Sequence, residues 1–496
     1  MKHLLPAILF VLCFGSSSAA TPGYHYTYSE NCKKAYQHYL SLHIADARTC
    51  LLNEIKSDSY NLLAVYISDY EDCILLLLNC SKSDFKQRAE HLDEHLELLD
   101  KGDPASPWYR FCKAGVYLHW AIINMRFGEQ YSTAGYFRKS FTLLKENLKL
   151  YPQFEYNNTF LGLEEAVVGS LPGNYRWLAS IFGMTGSVKN GTGKLNAFIG
   201  THTANDPFYA ETVLYAIYTR FYLLLEQKEV WDFLSSKNFS TYNNLLNTYV
   251  KANLALDYRK SDEAIQTLRA ASGDPSFGLY PVFDYQMGCA LYNQCDTSSV
   301  HSFTSYLKKN KSDLYIKDCW QKMALIWYLS GDPGRAVNCR SQISKNGTAR
   351  IDADKQAQKF AETATWPDKI LLKARLLIEA GYHSKALTAL TNANTATLSN
   401  PADKAEYYFR MGRISEETDD FIKAVEYYQY TIRIGKERHE QFAARAALQL
   451  GKMYERSNKP VQAIQHYKEC LQMPAHDFQN SIDQQAKAGL NRLGGR

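Results

Sequence analysis

A chain of 496 residues is longer than one hydrophobic core usually serves, so a stack of repeats or several domains is required. A formal net charge of +5, from 56 basic and 51 acidic residues without a Lys/Arg run, argues against a nucleic-acid binder. Past the N-terminus no apolar run reaches the roughly 18 residues that span a bilayer; the best, Ile74 to Leu78, is flanked by Glu71, Asp72 and Asn79.

Residues 1–20 have the layout of a secretory signal peptide: Lys2, an apolar stretch from Leu4 to Phe14, and Ser18-Ala19-Ala20 as a small-residue cleavage site. Removal after Ala20 takes Lys2 away and leaves +4. Lipidation at Cys13 is not expected, because Leu12 stands where a small residue is needed. The mature chain is expected to be exported, periplasmic or associated with the outer membrane, without a transmembrane segment.

Residues 21–240 read as an irregular helical domain. Ala45, Ala47, Leu51 and Leu52 resemble the second helix of a hairpin, and Leu62, Leu63 and Tyr66 open the next. A charged helix is predicted over Asp84 to Asp100. It contains His91-Leu92-Asp93-Glu94-His95, an HxxEH string in which two histidines one turn apart could hold zinc with the glutamate as base, Glu164 or Glu165 completing the set. A solvated face explains the string as well, and no metal is expected. The Lys101-Gly102-Asp103-Pro104 turn leads to an apolar helix from Trp108 to Phe127, whose partner spans Ser132 to Tyr151.

Gly162 to Gly200 is the most unusual stretch. A helical pattern stops at Pro172-Gly173, a short apolar helix carries Trp177, Leu178, Ile181 and Phe182, and Gly183 and Gly186 bracket a turn before Ser187, a plausible N-cap. A buried elbow seating one helical layer on another explains this composition; a docking surface is the alternative. Another apolar helix is predicted over Phe208 to Gln227.

This stretch carries a family resemblance. On Gly162, Gly169, Ser170, Leu171, Pro172, Tyr175, Trp177, Leu178, Gly183, Gly186, Ser187 and Gly191, followed by Pro207, Phe208 and Glu211, the chain resembles the tetratricopeptide-repeat family of the fungal inclusion-body clearance protein and its animal relatives, and is closer to exported bacterial members. The resemblance implies a fold and no established reaction. The chain departs from the family in its export signal and degenerate repeats.

Residues 241–496 read as a tetratricopeptide-like array. Small residues recur where paired helices would cross: Ala252, Gly288, Ala324, Ala374, Gly412 and Gly451 in the first helix of each unit, and, 12 positions on, Ala264, Val300, Ala336, Ala386, Ala424 and Ala463 in the second. Bulky partners stand one turn away, among them Met287, Trp327, Leu390, Tyr428 and Tyr467. An insertion rich in Lys, Ala, Asp and Thr occupies 344–369. The fold expected is therefore all-α, hairpins stacked as an α-solenoid.

Other motifs are negative. Gly191-Thr192-Gly193-Lys194 lacks the Gly and Ser/Thr that a phosphate loop needs, since Val188 and Leu195 stand there. Glycosylation sequons occur at Asn157, Asn190, Asn238, Asn310 and Asn346. The ten cysteines beyond Cys13 form no CxxC, and most are expected to be free and buried. No cofactor and no catalytic activity are expected. The function expected is a scaffold that binds an unidentified protein partner along a groove lined by first helices, with Tyr285, Trp320, Tyr407, Arg410, Arg413 and Lys452 as candidate contacts. Glycan or ligand binding is the alternative, and a zinc hydrolase using residues 91–95 a remote one.

Overall fold

The computed structural model describes residues 23–171, 179, 183–363, 365–392, 398 and 400–494. The signal sequence with Cys13, and Pro172, Tyr175, Trp177, Leu178, Ile181 and Phe182 of the elbow, lie outside the described residues.

Among the described residues the chain is helical, with a lone β-bridge between His25 and Asn61. Local chemistry sets many boundaries. Ser29, Asn61 and Ser106 cap their helices by accepting from Cys32, Leu63 and Trp108 amides, and Pro107 occupies the first turn of Pro107–Phe127. Gly128 ends that helix at φ 83°, a left-handed conformation cheap only for glycine. The predicted charged helix is two, Lys82–Arg88, started by a capping box at Ser81 and Asp84, and His91–Leu99, separated by a turn at Ala89-Glu90. The helix predicted to run to Gln227 is α-helical only over Tyr209–Tyr218; a π-turn, Thr219–Leu224, closes it at left-handed Leu225.

The second half is built of hairpins: Leu245–Asp257 with Ser261–Ala271, Val282–Asn293 with Ser299–Lys309, Ile316–Ser330 with Pro333–Lys345, Lys369–Ala380 with His383–Thr391, Pro401–Glu417 with Phe421–Gly435, and Phe442–Arg456 with Pro460–Leu471. The insertion supplies a helix of its own, Asp352–Glu362, and Gln479–Arg492 covers the open end of the stack. The small crossing residues are where the spacing puts them. A Cβ on Gly412 or Gly451 would stand 2.7 or 2.5 Å from the ring of Tyr428 or Tyr467. One unit is shifted: Gly288 faces Phe303, so the small residue of that second helix is fully buried Ser299, and Val300 is only half-buried. The small residue of that second helix follows Gly288 by 11 positions (299 − 288) and not 12, so it stands one residue early.

The expected all-α solenoid is present. Its core is continuous from Cys32 to Phe283, across Ser240 where the sequence changes character. The array bends tightly: a Cβ on Gly381 would lie 2.3 Å from the Arg259 carbonyl, and the Tyr382 hydroxyl donates to Asp262 at 2.8 Å, so the fourth hairpin touches the first. No described helix is long and apolar enough to cross a membrane. The ten described cysteines are unpaired.

Candidate functional site: the inner cleft and its buried support

Most consecutive first helices pack on one another, and Lys369–Ala380, which follows the inserted Asp352–Glu362, packs back on Val282–Asn293, so corresponding positions of the units gather on the inner face. The residue after each crossing residue forms a row: Asn253, Cys289, Leu325, Arg375, Arg413, Lys452. Its first four members line connected cavities. One, of about 520 Å³, is walled by Tyr222, Tyr249, Tyr285 and Tyr315 with Asp257, Lys322 and Glu379. Lys322 and Glu379 also line a second, of about 220 Å³, with Arg375 and Gln321, which share a third, of about 550 Å³, with Trp366, Asp403 and Glu440. The cleft thus runs from an aromatic end, past alternating charges, to an acidic mouth.

Its walls are held by internal bonds. Tyr285 donates to Asp318 at 2.8 Å, and Lys322 pairs with the same carboxylate. Burial would lower the Lys322 ammonium, but the Asp318 carboxylate outweighs it and holds it well above its ordinary value. Arg259 bridges layers, 2.9 Å from Glu417 and 3.7 Å from Glu379. Beyond that bridge lie Arg410, paired with Glu406, and Arg413, bound to Glu416 and Glu417 at 2.7 and 2.8 Å.

Of the sequence candidates, Tyr285 lines the cleft, and Arg410, Arg413 and Lys452 lie on the same inner face further along. Arg410 and Arg413 are buried and already satisfied. Trp320 packs half-buried beside the Met323 to Ile326 core, and Tyr407 against the Leu371 to Leu390 layer. Sequence reading missed Tyr222, Tyr249, Lys322, Arg375 and Glu379. The crossing residues were the available signal: the neighbours on their inward side were already fixed by them.

The cleft rests on an N-terminal half organised by two devices. The first uses Gly162, Gly169, Gly186 and Gly191. A Cβ on Gly191 would lie 2.4 Å from the Gly162 carbonyl, on Gly169 2.5 Å from Ser187, and on Gly186 2.5 Å from the Glu165 carbonyl. Helices Asn157–Ser170 and Val188–Thr201 therefore meet backbone to backbone, an architectural role for this part of the motif. The GTGK string lies within the second helix, its Lys194 bound to Glu165 at 2.6 Å.

The second is a buried polar network. Asp69 accepts from His119 Nδ1 at 2.7 Å, His95 Nδ1 at 3.1 Å and Trp120 Nε1 at 3.0 Å. Glu211 accepts from Tyr70 at 2.6 Å and Tyr215 at 2.5 Å, with His119 Nε2 3.9 Å away. Burial alone would raise the Asp69 carboxyl, but its histidine hydrogen bonds hold it at about 2. Burial would likewise lower His119, and Asp69 and Glu211 lift it to about 9. The HxxEH residues are drawn into this packing separately. His95 takes Asp69, His91 takes Asp72 at 2.8 Å, and Glu94 is exposed. The zinc arrangement is not assembled: Glu165 is committed to Lys145 and Lys194. Asp69, Asp72 and His95 do converge, but their charges already serve His119, Arg88 and one another.

Glu164 is fully buried, and neither oxygen meets a well-directed donor, although the Ser140 hydroxyl lies beside it. Burial pushes this carboxyl well above its ordinary range. A group raised on folding stabilises fully below its unfolded value, and that contribution is lost as pH rises. Glu164→Met is expected to stabilise by about 1–3 kcal/mol at pH 8 and by less at pH 4.5. Melting curves at both pH values check this; an equal difference at both would contradict it.

No family profile and no curated protein matches the chain. Solved structures align along most of it at low similarity. The apo form of the quorum sensor NprR from B. thuringiensis is 14% identical, with 82% of this chain and 97% of that one covered and a TM-score of 0.30. The human IFIT1 dimer with m7Gppp-AAAA gives 11%, 94%, 90% and 0.31, and the P58(IPK) TPR domain 12%, 86%, 100% and 0.22. At such scores these likenesses carry no argument about function.

Proposed function

We propose that this chain is an exported helical-repeat scaffold that binds a segment of a protein partner in the inner cleft. The carrying observation is the connected set of cavities along successive first helices, with four tyrosines at one end and Lys322, Arg375 and Glu379 in its middle. Aromatic faces supply contact area at small entropic cost, and alternating charges set register. The signal-like residues 1–20 and the resemblance to exported bacterial members support an envelope location, periplasmic or peripheral to the outer membrane. A second reading, glycan or small-ligand binding, is favoured by the ring of tyrosines alone.

Selection of random peptides against the mature chain tests the proposal. Binders are expected that lose about tenfold or more in affinity in the folded Tyr222→Ala/Gln321→Ala variant. Binders indifferent to that variant, or no peptide binding beside specific binding on a glycan array, would overturn it.

A further inference from the structure

At and beyond the acidic mouth, the inner face carries cations that no described carboxylate pairs directly, and they stand on three adjacent first helices. On Lys369–Ala380, Pro401–Glu417 and Phe442–Arg456 the row position is Arg375, Arg413 and Lys452, whereas the three preceding units have Asn253, Cys289 and Leu325 there. Arg413 is satisfied by Glu416 and Glu417. Glu416 also serves Arg456, and Glu455 serves Arg492. What remains are Arg375, Arg445 and Lys452, which have no carboxylate within 4 Å among the described residues.

Their actual partners are neutral. Arg375 meets the Tyr292 hydroxyl, Lys452 donates to the Gln485 amide oxygen at 2.8 Å, and the buried Arg445 Nε has no acceptor, its guanidinium lying 5.8 Å from the Phe478 ring. Arg375 shares the cleft mouth with Asp368, Asp403, Glu440 and Asp477, none of which pairs with it directly, whereas Arg445 and Lys452 lie outside that mouth. Across the layers, Arg445 feels the repulsion of Arg410, Arg413 and Arg375 against the single opposing Glu379. Lys452 faces Arg413 and Glu416 from Pro401–Glu417, Arg492 from Gln479–Arg492, the Cys470 thiol from Pro460–Leu471, and Arg456 on its own helix. Burial first and these cations second bring Arg445 down to about 10 and Lys452 to about 8. Like charges held together in excess of the counter-charge beside them are an arrangement that an anion relieves.

We infer that the partner segment bound by this face is acidic, presenting side-chain carboxylates to Arg375, Arg445 and Lys452. This rests on the scaffold reading above and specifies the chemistry of its partner. Three packed helices at about 8–10 Å spacing put the row's ends about 20 Å apart, the reach of about six extended residues. Carboxylates on alternate residues of a strand-like segment would face the row together.

Fluorescein-labelled hexaglutamate, hexaserine and hexalysine, titrated against the mature protein at about 50 mM NaCl, test this directly. Hexaglutamate is expected to bind, to weaken about tenfold or more in an Arg445→Gln/Lys452→Gln variant whose melting temperature is unchanged, and to weaken above pH 8 as Lys452 loses its proton. A second pair, Arg375→Gln/Lys452→Gln, serves if the first does not fold. Hexalysine or hexaserine binding as tightly, or an RNA hexamer binding more tightly with the same loss, would overturn the acidic-segment inference. If selected peptides still occupy the cleft without acidic preference, the scaffold reading survives and this inference fails; if no peptide of any charge binds, both fail.

Discussion

Asp69→Ala is expected to cost the protein about 3–5 kcal/mol, because it strands a buried imidazolium. His119 is 2% exposed, and Asp69 is its short, direct partner; without that carboxylate His95 and Trp120 lose their acceptor too. Asp69→Asn keeps the shape and is expected to cost less. The pair also fixes a pH profile. His119 is raised, so its contribution is complete below about 6.5 and lost as pH rises through about 9. Asp69 is depressed, so its contribution is present above about 3.9 and lost as pH falls toward 2. Both flanks report one ion pair and do not add. Urea unfolding should show stability falling between pH 6.5 and 9.5 in the natural protein and a flatter profile in Asp69→Asn. A cost below about 1 kcal/mol for Asp69→Ala, or parallel profiles, would contradict this account.

Gly451→Val is expected to destabilise the end of the array by about 3 kcal/mol, at the upper end for overpacking. The Tyr467 ring cannot move aside. A Cβ on Gly451 would stand 2.5 Å from one edge, and one on Gly489 would stand 2.4 Å from the other. The hydroxyl is also tied to Glu455 at 2.5 Å, which Arg492 holds at 2.7 and 2.8 Å. The same arrangement occurs one unit earlier, where Tyr428 donates to Glu416 at 2.6 Å and Arg456 pairs with that glutamate. Because the clash is with one ring, a double-mutant cycle isolates it: in a Tyr467→Ala background, Gly451→Val should cost little, and a coupling above about 1.5 kcal/mol is expected. Additive losses would show that the crossing is not what the glycine serves.

The repeat array was legible because its physics is local. Small residues at fixed separation mark where helices touch, and five of six second-helix positions are the expected residues; the exception is Ser299 for Val300, where the spacing from Gly288 is one residue less. The inner cleft was half legible. Tyr285 could be placed from helix periodicity, but Glu379 and Arg259 meet only because the array bends until the fourth hairpin touches the first, and no pattern in one unit encodes that closure. Arg410 and Arg413 looked available in sequence because the glutamates that satisfy them, Glu406, Glu416 and Glu417, could equally have faced water. The HxxEH histidines read as part of a solvated face for a related reason: the helix Leu62–Leu78 offers Asp69 and Asp72 to them, and contacts between separate helices are invisible in a spacing. Glu211 was singled out by resemblance without a role, and the structure supplies one, as the acceptor for Tyr70 and Tyr215.

The measurement that tests the central claim most directly is site-specific photo-crosslinking in the cells that make the protein. A benzophenone side chain at Gln321, on the cleft, is compared with one at Val461, which is 75% exposed on a second helix. A protein partner crosslinked from Gln321 and not from Val461, and displaced by a selected cleft-binding peptide, is the expected result. Crosslinks from Val461 alone, or from Gln321 to no polypeptide, would contradict a scaffold that works through its inner face.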